Sequence, residues 1–339
     1  MTGPFIGFSS ADIAFPVSIY TDSVRRLLMA ATDPKDDGWR TAAFQHVRML
    51  LGAGSVITRA AIRTPFFFQG ERATLVDPQR GIHKPRNLPH LLSVTTVVPQ
   101  KGRAAWYSDQ TSGHREIYSG EMGVMYSFMS TDPEAPQNRW LREAADLQIP
   151  ITYFVGIKPG LYQPIYPVFL SEWNGSSLQV RIVFSPALGT TAAHPFPNEP
   201  ADRRYAMRLV KQRLHQAQFR EAVIDAYKRC AISGLPEPRL LDAAHIVADQ
   251  NEELGQPIVQ NGLSLSKIHH AAYDANLIGI DADGKVHVSQ RLLAIHDGPF
   301  LEHGIKSIAG RFIHAPQRIE DQPDKDRLDR QFQLFKSAA

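Results

Sequence analysis

The sequence predicts an α+β chain with two cores, on three observations. Apolar residues at helical spacing open the chain. Short alternating runs separated by Gly and Pro fill residues 55 to 190, and beyond a Pro-rich break a long basic helix leads into a strand, loop, strand, helix unit. At 339 residues the chain is too long for one ordinary core.

Taken in order, Ser23 to Ala31 and Thr41 to Leu51 carry the helical spacing, and Asp33-Pro-Lys-Asp-Asp-Gly38 between them reads as a loop. Ala60-Ala-Ile62, Phe66-Phe-Phe68, Leu92 to Val98, Val124 to Phe128, Ile151 to Val155, Tyr166 to Leu170 and Leu178 to Phe184 read as short strands of a β-rich barrel or sandwich, interrupted by a helix from Asn138. Residues 187 to 201 are small, polar and Pro-rich, which marks a linker, and a basic helix follows from about Asp202 to Lys228. These readings divide the chain into 1–190, a linker and basic helix over 191–218, and 219–339 ending in a surface helix from about Asp321.

Composition excludes several classes. With 43% hydrophobic and 21% charged residues the chain reads as globular. The start shows no secretory pattern, and the most apolar run, Ile151 to Leu170, contains Lys158 and several prolines, so no membrane span is expected. Cys230 is the only cysteine, which rules out an intramolecular disulfide and a four-cysteine zinc site and fits a cytoplasmic location. A net charge of +3 is compatible with a nucleic-acid partner without arguing for one, and single basic clusters such as Arg203 to Arg213 read first as solvated helix faces.

The densest chemical signal is Asp242-Ala-Ala-His245-Ile, then Asn261-Gly-Leu, then His269-His270-Ala-Ala-Tyr-Asp274. Side chains alternate along a strand, so Asp242 and Ala244 share one face and His245 takes the other. On the following helix His270 and Asp274 are four apart and share a face. Only one of His269 and His270 can point fully into a site, and the spacing leaves open which. An imidazole that titrates near neutrality, beside carboxylates, suits a site that holds one divalent cation and activates one water. Ile278 to Val288 follows as a hairpin with Asp283-Gly284 at its turn.

This stretch resembles the His-Asn-His (HNH) family of metal-dependent nucleases, in particular its restriction-endonuclease branch, over about residues 219 to 290. Tyr227-x-x-Cys230-Ala-Ile-Ser-Gly234 and Leu277-Ile278 extend the match. The resemblance implies a ββα-metal fold hydrolysing DNA phosphodiesters with Mg²⁺ or Mn²⁺. It makes His245 the general base, Asn261 the middle Asn that shapes the loop, and His270 a metal ligand or phosphate contact, with Asp242, His269 and Asp274 as further ligands or supports. Where many relatives carry a ligand immediately before the first His, this chain has Ala244, which makes Asp242 the candidate ligand on the strand. Ser233 replaces the second cysteine of a zinc-binding pair and no second pair exists, so no structural zinc is expected.

Residues 75 to 185 resemble the SRA domain of the PUA-like superfamily, which reads modified cytosine. The matching pieces are Trp106-Tyr107-Ser-Asp109, Tyr118-Ser-Gly, Asn138-Arg139-Trp-Leu, Ile149-Pro-Ile-Thr-Tyr-Phe-Val-Gly and Tyr162-x-Pro-Ile-Tyr-Pro-Val. That resemblance implies a pocket in which an aromatic stacks on a flipped base while Asp109 or Asn138 reads its edge. Gly81-Ile-His83-Lys84-Pro-Arg86 adds a rigid basic loop suited to phosphates. The expectation is an endonuclease acting on 5-methyl- or 5-hydroxymethylcytosine DNA, as a homodimer because one HNH site cuts one strand. The alternatives are an HNH restriction enzyme for unmodified sequence and a non-catalytic DNA-binding protein.

Overall fold

The computed structural model describes residues 34–52, 54–98, 122–190, 196–248, 256–296 and 298–338, and the fold is mixed α+β. The helix expected over residues 23 to 31 and the candidate base-reading residues Trp106, Tyr107, Asp109 and Tyr118 lie outside the described residues.

Helix α1 (Pro34–Leu51) begins where the sequence predicted a loop. Pro34 occupies the first position of the helix, where its missing N–H costs nothing, and Asp36 and Asp37 lie in the first turn, where the helix dipole favours anions. Gly38 is required for space, since a Cβ there would sit 2.2 Å from the Phe68 ring. The turn signals are thus a helix start and a close contact. Ala60 to Ile62, expected as a strand, form the short helix α2 (Arg59–Ile62), whose first turn is held by the Thr58 hydroxyl accepting from the Ala61 N–H.

The main sheet has the order β4 (Ile82–His83), β5 (Ser93–Thr96), β7 (Ile151–Lys158), β8 (Leu161–Asn174), β9 (Gln179–Phe184), β6 (Val124–Ser127), with β1 (Ile57–Thr58) also on β8. β5 and β7 run parallel and the other pairs antiparallel. β2 (Pro65–Phe68) and β3 (Glu71–Thr74) form a separate hairpin. Among the described residues β4 and β6 are the ends of the order and do not pair, so no closed barrel forms. The sheet nevertheless curls far enough that the Tyr126 hydroxyl on β6 donates to the Gly81 carbonyl beside β4 at 3.1 Å.

Both sheet faces are covered, which is why β7 and β8 read as nearly continuous apolar runs rather than alternating ones. On one face α1 and the β2–β3 hairpin pack over Phe154, Tyr162 and Tyr166. On the other, Tyr153, Val155, Ile165 and Val168 meet α3 (Pro136–Asp146) and the first half of α4 (Pro200–Tyr227).

Arg40 ties α1 to the sheet. It is 3% exposed and Asp36 0%. Its Nε donates to Asp36 at 2.7 Å, and its Nη1 donates to the carbonyls of Leu91 and Pro150 at 2.8 and 2.9 Å. Removing one partner of a buried pair leaves a charge without compensation. Arg40→Ala is therefore expected to lower unfolding stability by about 3–5 kcal/mol, read as a lower urea midpoint with unchanged slope. A midpoint within the error of the parent protein would show the pair to be dispensable.

The C-terminal core begins on the same long helix. Ala206, Met207, Val210 and Leu214 of α4 belong to the sheet core, whereas Phe219, Val223, Ile224 and Tyr227 belong to the second core. The basic helix, expected from about Asp202 to Lys228, thus contributes residues to both cores. In the second core β10 (Leu241–His245) pairs antiparallel with β11 (Gly262–Ser266), and α5 (Lys267–Asp274) follows directly. The Ser266 hydroxyl accepts from the His269 N–H and starts that helix. β12 (Ile278–Ile280) and β13 (Val286–Val288) form the expected hairpin, with Gly284 at φ +83° in the turn, and the one-turn helix α6 (Gln290–Leu293) follows. The terminal helix α7 (Lys325–Ala338) is more than a surface helix, since Leu328 and Phe335 are buried and a Cβ on Gly279 of β12 would meet the Phe335 ring at 2.5 Å. Among the described residues no helix is long and apolar enough to cross a membrane.

Candidate active site

Asp242, His270 and Asp274 come together on one side of the β10–β11 hairpin. His270 Nδ1 lies 3.6 Å from Asp242 Oδ2, and His270 Nε2 lies 3.2 Å from Asp274 Oδ2. Burial pulls the His270 imidazole down, but the hydrogen bonds and charges of the two carboxylates outweigh it and raise it to about 9. Burial pushes the Asp242 carboxyl up. The paired His270, the Ala243 N–H and the Arg220 guanidinium more than cancel that, so it lies below the usual carboxylate range.

Arg220, on α4, was not anticipated from sequence. Its Nη2 donates to the carbonyls of Leu241 at 2.8 Å and Pro238 at 3.0 Å, its Nε sits 3.6 Å from Asp242 Oδ1, and its Nη1 bonds Glu221 at 2.8 Å. Glu221 in turn pairs with Lys158 of β7 at 2.9 Å. An unbroken line of alternating charge thus runs from the main sheet to His270. In the sequence Arg220 is one cation among many on a basic helix, and nothing local distinguishes it.

His245 closes β10, and its ring stacks on Phe219 of α4 at 4.0 Å between centroids and 15° between planes. Ala244 is fully buried in the core. Asn261 is also fully buried: its carbonyl accepts from the Val247 N–H at 2.9 Å, and its amide donates to Val247 O at 3.0 Å and Gln256 O at 3.1 Å. The side chain therefore clamps both ends of the loop between the two strands. It acts on the backbone rather than on any reacting group.

His269 is turned away from this site, which corrects its candidacy as a ligand. Its Nδ1 faces Ser266 Oγ at 3.0 Å and Cys230 Sγ at 3.5 Å, and its Nε2 faces Gly304 O at 3.0 Å. Both ring nitrogens are committed. Cys230 Sγ also accepts from the N–H groups of Ser233 at 3.3 Å and Ser266 at 3.2 Å. Burial pushes this thiol up, but His269 and the donors from Ser233 and Ser266 lower it to about 6. The pair fastens the Cys230–Gly234 turn to the start of α5 and so fixes the helix that carries His270.

As donors, two carboxylates and an imidazole suit a hard or borderline divalent cation. The ring nitrogens of His270 face different acids, so a single cation can take the imidazole with one acid at a time. Among the described residues no three His, Cys, Asp or Glu side chains are gathered closely enough to hold an ion as they stand. A Mg²⁺-type ion held by one or two protein ligands, with water and a phosphate completing its shell, is compatible with this set.

The candidate DNA contacts of the N-terminal part are less available. Asn138 is fully buried and its amide donates to the carbonyls of Ser130 and Asp132 at 2.9 and 2.6 Å, so it holds its own loop and cannot read a base edge. His83 Nε2 faces the Thr74 carbonyl at 2.9 Å, and burial holds its imidazole below the ordinary value. Lys84 donates to Leu88 O at 2.8 Å. These two groups serve the loop itself, leaving Arg86 on that loop and Arg139 on α3 as the exposed cations among these candidates.

A solved structure described as a modification dependent TagI restriction endonuclease is 15% identical, over 75% of this chain and 85% of that chain. Its TM-score of 0.27 is too low to argue for a shared overall arrangement. No curated protein matches the chain. The HNH endonuclease family matches residues 230–281, from Cys230 through β10, β11 and α5 to the start of the hairpin turn. Residues 230–281 are therefore an HNH endonuclease domain, and the protein is a nuclease.

Proposed function

We propose that the protein is a restriction-type DNA endonuclease in which His245 is the general base and His270, together with either Asp242 or Asp274, holds a divalent cation. The observation that carries this reading is the antiparallel hairpin and helix that gather two acids round His270 while His245 closes the first strand. A bound Mg²⁺ or Mn²⁺ would supply positive charge at the scissile phosphate and the leaving oxygen. The imidazole of His245 accepts the proton of the attacking water, and Phe219 fixes the plane of that ring. Asn261 keeps the loop between the strands in shape. Cutting both strands takes two such sites, hence a homodimer on DNA.

The N-terminal sheet is the recognition part in this reading, with residues 1–190 and 219–339 as the two functional domains. Its target is modified cytosine, supported by the resemblance of residues 75 to 185 to the SRA domain. The test is incubation of the protein with plain, 5-methylcytosine and 5-hydroxymethylcytosine duplexes in Mg²⁺ or Mn²⁺. Cleavage of the modified duplexes alone is expected. Cleavage of plain DNA at one sequence would sink the modified-base reading, and binding without cleavage in either metal would sink the catalytic one.

A further inference from the structure

Helix α4 carries a concentration of charge that neither core uses. From Arg203 to Arg220 it holds six cations (Arg203, Arg204, Arg208, Lys211, Arg213 and Arg220) and no acid, in a chain whose net charge is +3. Arg220 belongs to the site above, and Arg203 is occupied by the Pro197 carbonyl and the Phe196 ring. Arg213 lies beside Tyr166 of the sheet core. That leaves Arg204, Arg208 and Lys211, which with Ala201 and Met207 line a shallow open cleft. Among the described residues no acidic side chain pairs with any of the three. The spacing of four and three residues sets them in one row, where like charges weaken an isolated helix. An outside anion that fills the row removes that penalty.

The helix also gives the row a direction. At about 100° per residue, Arg208 and Phe219, eleven positions apart, project within about 20° of each other. At about 1.5 Å per residue they are separated by roughly 16 Å along the axis. The row therefore lies on the side of α4 that, further along, presents Phe219 to His245. The opposite side, with Ala206, Val210 and Leu214, is buried in the sheet core. A phosphate on Arg208 would lie roughly five nucleotide steps, at about 3.4 Å each, from one at His245.

We propose that Arg204, Arg208 and Lys211 form a docking ridge for the phosphate backbone of double-stranded DNA, which leads the duplex along α4 to the HNH site. The proposal rests on the reading that DNA is the substrate. The charge of the row complements a phosphate backbone, and the helix that carries it continues into the nuclease core. Backbone contacts of this kind set affinity and register and carry no sequence preference.

The test measures binding of the full-length protein to a duplex by fluorescence anisotropy in EDTA, across a series of salt concentrations. The triple variant Arg204→Gln, Arg208→Gln, Lys211→Gln is compared with a control, Lys325→Gln, Arg330→Gln, Lys336→Gln, that removes the same charge from exposed positions on α7. The ridge variant is expected to bind at least about tenfold more weakly and to flatten the slope of log K against log salt by about 2.7, roughly 0.9 per lost phosphate contact. The control should leave the slope unchanged. In cleavage assays the ridge variant should raise KM and leave kcat at saturating DNA within about twofold. Unchanged affinity and slope overturn the proposal, as does an equal loss in the control, which would make the effect one of net charge. Displacement of the ridge's duplex by an acidic polypeptide at equal affinity would also overturn it, in favour of a protein partner. Since binding is read without metal, a parent protein that binds normally but cuts nothing counts against the nuclease reading and leaves the ridge standing.

Discussion

His245→Ala is expected to slow cleavage by about 10²- to 10⁴-fold, the usual contribution of a positioned general acid or base. The ring ends β10 and lies flat against Phe219, so its orientation is set by packing before any substrate arrives. Alanine removes the proton acceptor and leaves the β10–β11 ladder intact, because that ladder is made of backbone groups. Duplex affinity in EDTA should stay within about twofold, and thermal unfolding should shift by only a few degrees, consistent with the loss of a half-buried ring. Single-turnover cleavage at saturating DNA is the deciding measurement. A rate within tenfold of the parent protein would place the base elsewhere.

That the ββα unit could be read from sequence follows from its locality. Its chemistry sits on one hairpin and one helix within about fifty residues, and both the strand alternation and the four-residue spacing of His270 and Asp274 act over short range. What escaped is decided at long range. Whether His269 or His270 faces the site depends on Cys230 and on Gly304, which lies 35 residues beyond His269. Gly38 reads as a turn until Phe68, thirty residues away, is found against it. Asn138 reads as a base contact until its amide is found bonded to Ser130 and Asp132. The fourteen-residue β8 also hid its length, since burial on both faces erases alternation and leaves only an apolar run broken by prolines.

Arg220 is the clearest case of a long-range determinant, and Arg220→Ala is expected to lower kcat and Mn²⁺ affinity together by about 10- to 100-fold, the range found when a residue that orients a metal ligand is lost. The guanidinium fork grips Leu241 O and Pro238 O, on the first residue of β10 and just before it, and places its remaining charge 3.6 Å from Asp242. Without it the Asp242 carboxylate loses one of the cations that hold it ionised and is free to turn toward solvent. Arg220→Lys keeps a charge but not the fork, so it should recover the affinity only in part, because one ammonium cannot serve two carbonyls and a carboxylate in a fixed plane. The readouts are Mn²⁺ binding by calorimetry without DNA and the split between kcat and KM in cleavage. A fall in kcat with an unchanged KM for DNA is expected, since the ridge residues that meet the duplex are untouched. Should Arg220→Ala lower only the unfolding midpoint while Mn²⁺ affinity and kcat stay within twofold, Arg220 would be a brace between helix and strand, and the orientation of Asp242 would have to come from His270 alone.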